Sequence, residues 1–187
     1  PTHRLHEPVH RPDHLSFPVS VAPRHRLGGR AGIVFPNDIV TDGKGTFYIS
    51  DTRGNAVFRY AKGILEKWLE GGDVQAPNGL FLDGGELLVG VGGDGTLKKV
   101  HVRDKSITTV AELGSGANID GIKKYDARRY LVSDYNGRLF LVSPDGNKTL
   151  LIDSRTPGKT LADFEYIPET RRILIPTLFN NRILVYR

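Results

Sequence analysis

Residues 77–102 read PNGLFLDGGELLVGVGGDGTLKKVHV, a stretch in which short apolar runs alternate with glycine-rich turns. Pro77-Asn78-Gly79-Leu80 opens one strand, Asp83-Gly84-Gly85 turns the chain, and Leu87-Leu88-Val89-Gly90 forms a second, more apolar strand. Gly93-Asp94-Gly95 turns it again into a third strand, Leu97 to Val102. Asp-Gly pairs tolerate positive φ and are strong hairpin signals. Gly90 to Gly95 also satisfies G-x-G-x-x-G, but the segment after it reads as another strand. Without a helix N-terminus there is no dipole to hold a pyrophosphate, so this is a hairpin turn.

The same pattern recurs on either side. Pro36-Asn37-Asp38-Ile39, Ile119-Asp120-Gly121-Ile122 and Ala162-Asp163-Phe164-Glu165 align with Pro77-Asn78-Gly79-Leu80, placing their second residues at 37, 78, 120 and 163, steps of 41, 42 and 43. The more apolar second strands are Phe47 to Ser50, Leu87 to Gly90, Tyr130 to Ser133 and Ile173 to Pro176. The third strands are Val57 to Tyr60, Leu97 to Val102, Arg138 to Val142 and Arg182 to Tyr186. A fourth follows in three units: Ile64 to Leu69, Ser106 to Ala111 and Thr149 to Ile152. Four antiparallel strands in a repeat of about 42 residues describe a β-propeller blade. The expected fold is all-β, with blades over 33–72, 73–113, 114–156 and 157–187. The last blade lacks its fourth strand, which Leu15 to Val21 could supply in a four-bladed ring. The alternative is an incomplete six-bladed ring whose open edges could pair with another molecule, including a second copy of the chain.

Residues 1–32 read as a basic tail or degenerate segment. Arg4, Arg11, Arg24, Arg26 and Arg30 against Glu7 and Asp13 carry +3 of the net charge of +5, leaving +2 for the remainder. That is no phosphate-neutralising stripe, and the aromatic residues fall in strand patterns, so nucleic-acid binding is not expected. His3, His6, His10 and His14 would align on a helix, but Pro8 and Pro12 oppose one. No apolar run reaches the ~18 to 20 residues of a membrane span, so a soluble protein is expected, and no signal peptide is visible; the compartment stays open. With no Cys, disulfides and thiolate-bound metal are excluded. The absence of Met, with Pro at position 1, points to a processed product or part of a longer reading frame.

In a propeller the side chains of Asn37, Asn78, Asp120 and Asp163, each opening an inner strand, would converge near the axis. Their oxygens are hard ligands suited to Ca²⁺ or Mg²⁺ and tolerated by Zn²⁺ or Mn²⁺. Such a metal could polarise a carbonyl and acidify a water, with Asp120 or Asp163 taking the proton. The plainer alternative is that these residues hold turns by bonding nearby backbone amides. Ser50-Asp51 and Ser133-Asp134, which end equivalent strands, are most simply such caps. No G-x-S-x-G elbow occurs, and residues 153–165 lack the acidic positions of an EF-hand loop.

Inner strands that open Pro-Asn-Asp, Pro-Asn-Gly and Asp-Gly resemble those of the regucalcin/gluconolactonase (senescence marker protein-like) family of six-bladed propellers, over about residues 33–187. The resemblance implies a divalent metal, Ca²⁺ or Zn²⁺, at the channel mouth and hydrolysis of sugar lactones or related esters. It implies Asn78 and Asp120 as metal ligands and Asn37 as a substrate contact, and the residues themselves add Asp120 as the catalytic residue and Asp163 as a further candidate at the channel mouth. The family's metal Glu lies in a first blade that has no recognisable counterpart here; Glu7 is nearest by position. A non-catalytic binding propeller, or an inactive fragment, is the alternative from a different class.

Overall fold

The computed structural model describes residues 32–155, 160–178 and 181–187. Among the described residues, fifteen strands fall into four antiparallel sheets. Blade 1 comprises β1 (Pro36–Thr41), β2 (Phe47–Asp51), β3 (Ala56–Ala61) and β4 (Ile64–Glu70). Blade 2 comprises β5 (Pro77–Asp83), β6 (Glu86–Val91), β7 (Thr96–His101) and β8 (Ile107–Glu112). Blade 3 comprises β9 (Ile119–Lys124), β10 (Tyr130–Asp134), β11 (Arg138–Val142) and β12 (Lys148–Asp153). Blade 4 has β13 (Glu165–Ile167), β14 (Arg172–Pro176) and β15 (Ile183–Tyr186). Each sheet is a simple meander, so every pairing follows a hairpin between consecutive strands. The expected β-propeller architecture is therefore present, although the four sheets do not close into one continuous sheet. The candidate closing strand Leu15 to Val21, the basic tail and Glu7 lie outside the described residues. The sole helical element among the described residues is one 3-10 turn, Gly72–Val74. No described helix is long and apolar enough to cross a membrane.

The turns form as their residues dictate. Asp42 accepts the amides of Lys44 and Thr46 through Oδ1, closing the β1–β2 hairpin. Gly92 to Gly95 is a turn between β6 and β7, with no helix after it. Asp51 and Asp134, both fully buried, are turn caps. Asp51 accepts the amides of Val34, Phe35 and Gly54. Asp134 accepts those of Asn118 and Asn136, and Arg138 Nε donates to it at 2.6 Å.

Apolar residues on alternate strand positions pack each blade on the next. Between blades 1 and 2, Tyr48, Val57 and Trp68 meet Leu80, Leu87 and Val89. Between blades 2 and 3, Leu88 and Leu97 meet Ile119, Ile122 and Val132. Between blades 3 and 4, Leu131 and Leu139 meet Phe164, Tyr166 and Ile175. Each fully buried aliphatic side chain contributes about 1.5–3 kcal/mol by leaving water. The core is thus a series of interfaces between blades, with the inner strands β1, β5, β9 and β13 successive neighbours.

Candidate functional site

The inner strands of blades 1, 2 and 3 share one irregularity. In blade 1 the pairing steps from Pro36↔Asp51 to Ile39↔Ile49, in blade 2 from Pro77↔Val91 to Leu80↔Val89, and in blade 3 from Ile119↔Asp134 to Ile122↔Val132. Two residues thus face one: Asn37-Asp38 opposite Ser50, Asn78-Gly79 opposite Gly90, Asp120-Gly121 opposite Ser133. A bulge of this kind twists the strand and re-aims its side chains. Where the facing residue is serine, its hydroxyl stands in for the lost ladder bond. Asp38 N donates to Ser50 Oγ at 2.9 Å, and Gly121 N donates to Ser133 Oγ at 2.7 Å. Ser133 Oγ in turn donates to the Ala162 carbonyl, tying the blade 3 bulge to blade 4.

Gly79 and Gly121 are glycine because of what lies beside them. A Cβ on Gly79 would stand 1.6 Å from the Asp120 carbonyl oxygen, and a Cβ on Gly121 would stand 2.7 Å from Asp163 Oδ1. The bulges of blades 2 and 3 and the segment that leads into β13 are therefore in close succession, which brings Asn78, Asp120 and Asp163 into one neighbourhood. Asn78 is 5% exposed, and its Oδ1 is buried with no hydrogen-bond partner. Asp163 is largely exposed; its Oδ1 accepts the Phe164 amide at 2.8 Å and lies 3.6 Å from Lys123 Nζ, which is also 3.6 Å from Glu165 Oε2.

Asn37 is placed differently. It is exposed, and its Nδ2 donates to Thr52 Oγ1, whose own hydroxyl donates to the Pro77 carbonyl. Its bulge partner Asp38 reaches across to blade 2, where Oδ2 accepts the Leu80 amide at 2.7 Å. Burial pushes the Asp38 carboxyl up, against the downward pull of the Leu80 and Ile39 amides, and the Asp163 charge adds to the rise. Burial, then the charges of Asp163 and Asp38, push the Asp120 carboxyl up to about 6. Asp38 and Lys123 therefore join the three residues above, and neither stands out when the repeats are aligned by column. The one available signal is the Asn37-Asp38 pair itself, two polar residues where the next two blades have one polar residue and glycine.

The group offers hard oxygen donors of mixed charge and a carboxyl pushed up to about 6, a combination suited to cation binding or proton transfer. Among the described residues no three His, Cys, Asp or Glu side chains cluster closely enough to hold a metal by themselves. Asn78 Oδ1 and an Asp120 oxygen are still a fitting pair of ligands for a divalent ion completed by water, since a buried carbonyl oxygen without a donor is a costly arrangement that a cation would relieve.

The class defined by this fold is the β-propeller, and solved structures agree. Virginiamycin B lyase from Staphylococcus aureus superposes with a TM-score of 0.64 at 14% identity, over 80% of this chain and 54% of the lyase. A candidate gluconolactonase gives 0.62 at 21% identity, over 80% of this chain and 57% of that one. The computationally designed Ika4 protein gives 0.57 at 12% identity, over 86% of this chain and 93% of the design. The chain thus spans about half the length of the two natural proteins. No protein-family model and no curated protein matches the sequence.

Proposed function

We propose that the chain carries the channel-mouth centre of a divalent-metal-dependent hydrolase of sugar lactones or related esters. The observation that supports this most is the orphaned, buried Oδ1 of Asn78 beside the Asp120 bulge. A bound Ca²⁺ or Zn²⁺ would supply Lewis acidity toward a lactone carbonyl and toward water. Asn78 Oδ1 and one Asp120 oxygen would hold it, and the second Asp120 oxygen would accept a proton from water. Burial, then the Asp163 and Asp38 charges, raise the proton affinity of that carboxyl before a cation binds, and Lys123 balances part of the negative charge of Asp163. Asn37 is a substrate contact in this scheme, at the exposed rim beside Thr52.

Calorimetric titration of Ca²⁺ and Zn²⁺ into the metal-stripped protein is the test, repeated with Asp120→Ala and Asn78→Leu. Saturable binding that either substitution abolishes supports the proposal and directs a screen of lactones in a pH-stat. A folded wild-type protein that binds neither ion refutes it. The second reading, a non-catalytic binding propeller, would then stand.

A further inference from the structure

The same place in the repeat forms a hollow in blades 1 and 3, and the two are charged differently. In blade 3 the β9–β10 and β11–β12 turns enclose about 570 Å³, lined by Asp126, Arg128, Arg129 and Asp145. Its charges balance, two carboxylates against two guanidinium groups, with Arg129 Nε donating to Asp126 at 2.7 Å. In blade 1 the equivalent β1–β2 and β3–β4 turns enclose about 380 Å³, lined by Lys44, Thr46, Arg59, Lys62, Ile64 and Glu66. A second hollow of about 440 Å³ adjoins it across the shared Arg59 and Glu66, and its far wall is Arg103 and Lys105 of the β7–β8 turn in blade 2, beside Trp68. Here the balance fails. Arg59 Nη1 and Glu66 Oε1 pair at 2.9 Å, whereas Lys44, Lys62, Arg103 and Lys105 have no carboxylate partner among the described residues. The other acids of these turns are engaged: Asp42 Oδ1 accepts the Lys44 and Thr46 amides, and Asp104 Oδ1 accepts from Ser106 and lies 3.0 Å from His101 Nδ1. Because β1 and β9 start at the bulges and run away from them, this groove lies at the opposite end of the blades from Asn78 and Asp120.

We propose that the groove across blades 1 and 2 binds a compact organic ligand that carries at least two phosphate groups. The arrangement of charge sets the number of groups. Lys44 and Lys62 stand in one hollow and Arg103 and Lys105 in the other, with the self-neutralised Arg59–Glu66 pair between them, so a single phosphate meets only one pair of cations. The donor types set the chemistry, since a guanidinium fork and ammonium groups are the side chains that hold phosphate oxygens through charge-assisted hydrogen bonds. The shape sets the size. A recess lined by one sign of charge focuses its field on a ligand that enters it, whereas a nucleic-acid duplex needs cations spread along a stripe. Ile64 and the Trp68 ring, with Lys105 Nζ 5.7 Å from its centre, give the groove apolar walls, and Thr46 and the Arg59–Glu66 pair offer hydrogen bonds to a hydroxylated linker between the phosphates. The blade 3 hollow shows that the fold does not impose this charge: it follows from the residues of these particular turns. The proposal does not depend on the hydrolase reading.

The experiment is calorimetric titration of the full chain, stripped of metal so that the channel mouth contributes nothing, with fructose 1,6-bisphosphate, fructose 6-phosphate, inorganic tripolyphosphate and a hexaglutamate peptide. The variants are Lys44→Gln and Arg103→Gln, one from each hollow, with Arg128→Gln in the balanced blade 3 hollow as control. All three side chains are exposed, and circular dichroism with thermal unfolding verifies that each variant is folded. The bisphosphate should bind about 10-fold more tightly than the monophosphate, because its second group is presented to the second cation pair at high effective concentration. Lys44→Gln and Arg103→Gln should each weaken the bisphosphate about 10-fold, toward the monophosphate value, and Arg128→Gln should leave it unchanged. Raising the salt from about 20 mM to about 200 mM should weaken binding in parallel. Absence of saturable binding of both the bisphosphate and tripolyphosphate below about 10 mM would overturn the proposal. So would equal loss with Arg128→Gln, which would mean attraction to net charge alone. Tighter binding of hexaglutamate than of either phosphate ligand would also overturn it, in favour of an acidic protein segment.

Discussion

Replacing Gly79 with alanine should be among the most damaging single-methyl changes in this protein. The added Cβ would lie 1.6 Å from the Asp120 carbonyl oxygen and 2.6 Å from its carbonyl carbon. Both are backbone atoms, so no side chain can swing aside; relief requires β5 and β9 to separate by roughly 2 Å, judged against ordinary carbon contacts of ~3.5–4.0 Å. Overpacking of a tight core costs about 1–3 kcal/mol and occasionally more, and the displacement needed here puts the cost at about 3 kcal/mol. Gly85→Ala is the matched control: no atom lies within 4 Å of its Cβ position, and its φ lies outside the left-handed region. It should change stability by less than about 1 kcal/mol, and in the stabilising direction. Urea unfolding followed by tryptophan fluorescence reads both, since Trp68 is buried in the blade 1–2 core. With a slope of about 2 kcal/mol/M, the Gly79→Ala midpoint should fall by about 1.5 M. A midpoint within about 0.3 M of wild type would refute the claim that contact between successive inner strands excludes any side chain at this position.

Two further outcomes follow from the buried carboxylates. Asp134→Ala should destabilise by about 3–5 kcal/mol in the same assay, because it strips Arg138 of its buried partner and leaves the Asn118 amide unpaired; a loss below 1 kcal/mol would contradict the capping role. Asp120 has a folded-state value of about 6, above its ordinary 3.8. The folded state therefore binds this proton more tightly, and the contribution of Asp120 to stability is greatest below about pH 4 and is lost as pH rises through about 6. Asp120→Asn should flatten that decline in the metal-free protein and raise stability at pH 7 by about 1–2 kcal/mol, after allowance for solvent screening; an unchanged thermal profile between pH 4 and 7 would count against the shift.

The Asx positions show where a linear pattern stops. Asn78 and Asp120 were legible as inner-strand polar residues from the repeat alone, and the structure sets them in adjacent bulges. Asn37 and Asp38 are adjacent in sequence, and column alignment selects Asn37; pairing opposite Ser50 sends Asn37 to Thr52 at the rim and Asp38 across to Leu80. A bulge disturbs the strict alternation of sides along a strand, so which of two neighbours faces inward depends on the pairing register. Lys123 lay in a plain strand pattern and joins the group because blade 4 brings Asp163 and Glu165 to it.

By itself the sequence determined the blades, because strand alternation, Asp-Gly and Asn-Gly turns and a ~42-residue period are local properties that each unit expresses independently. Tertiary structure decided the rest: the orphaned oxygen of Asn78, the raised carboxyl of Asp120 and the reach of Asp38 across to Leu80. Each of these depends on what a neighbouring blade brings within a few ångströms, and burial and charge proximity between blades are not properties of any one repeat.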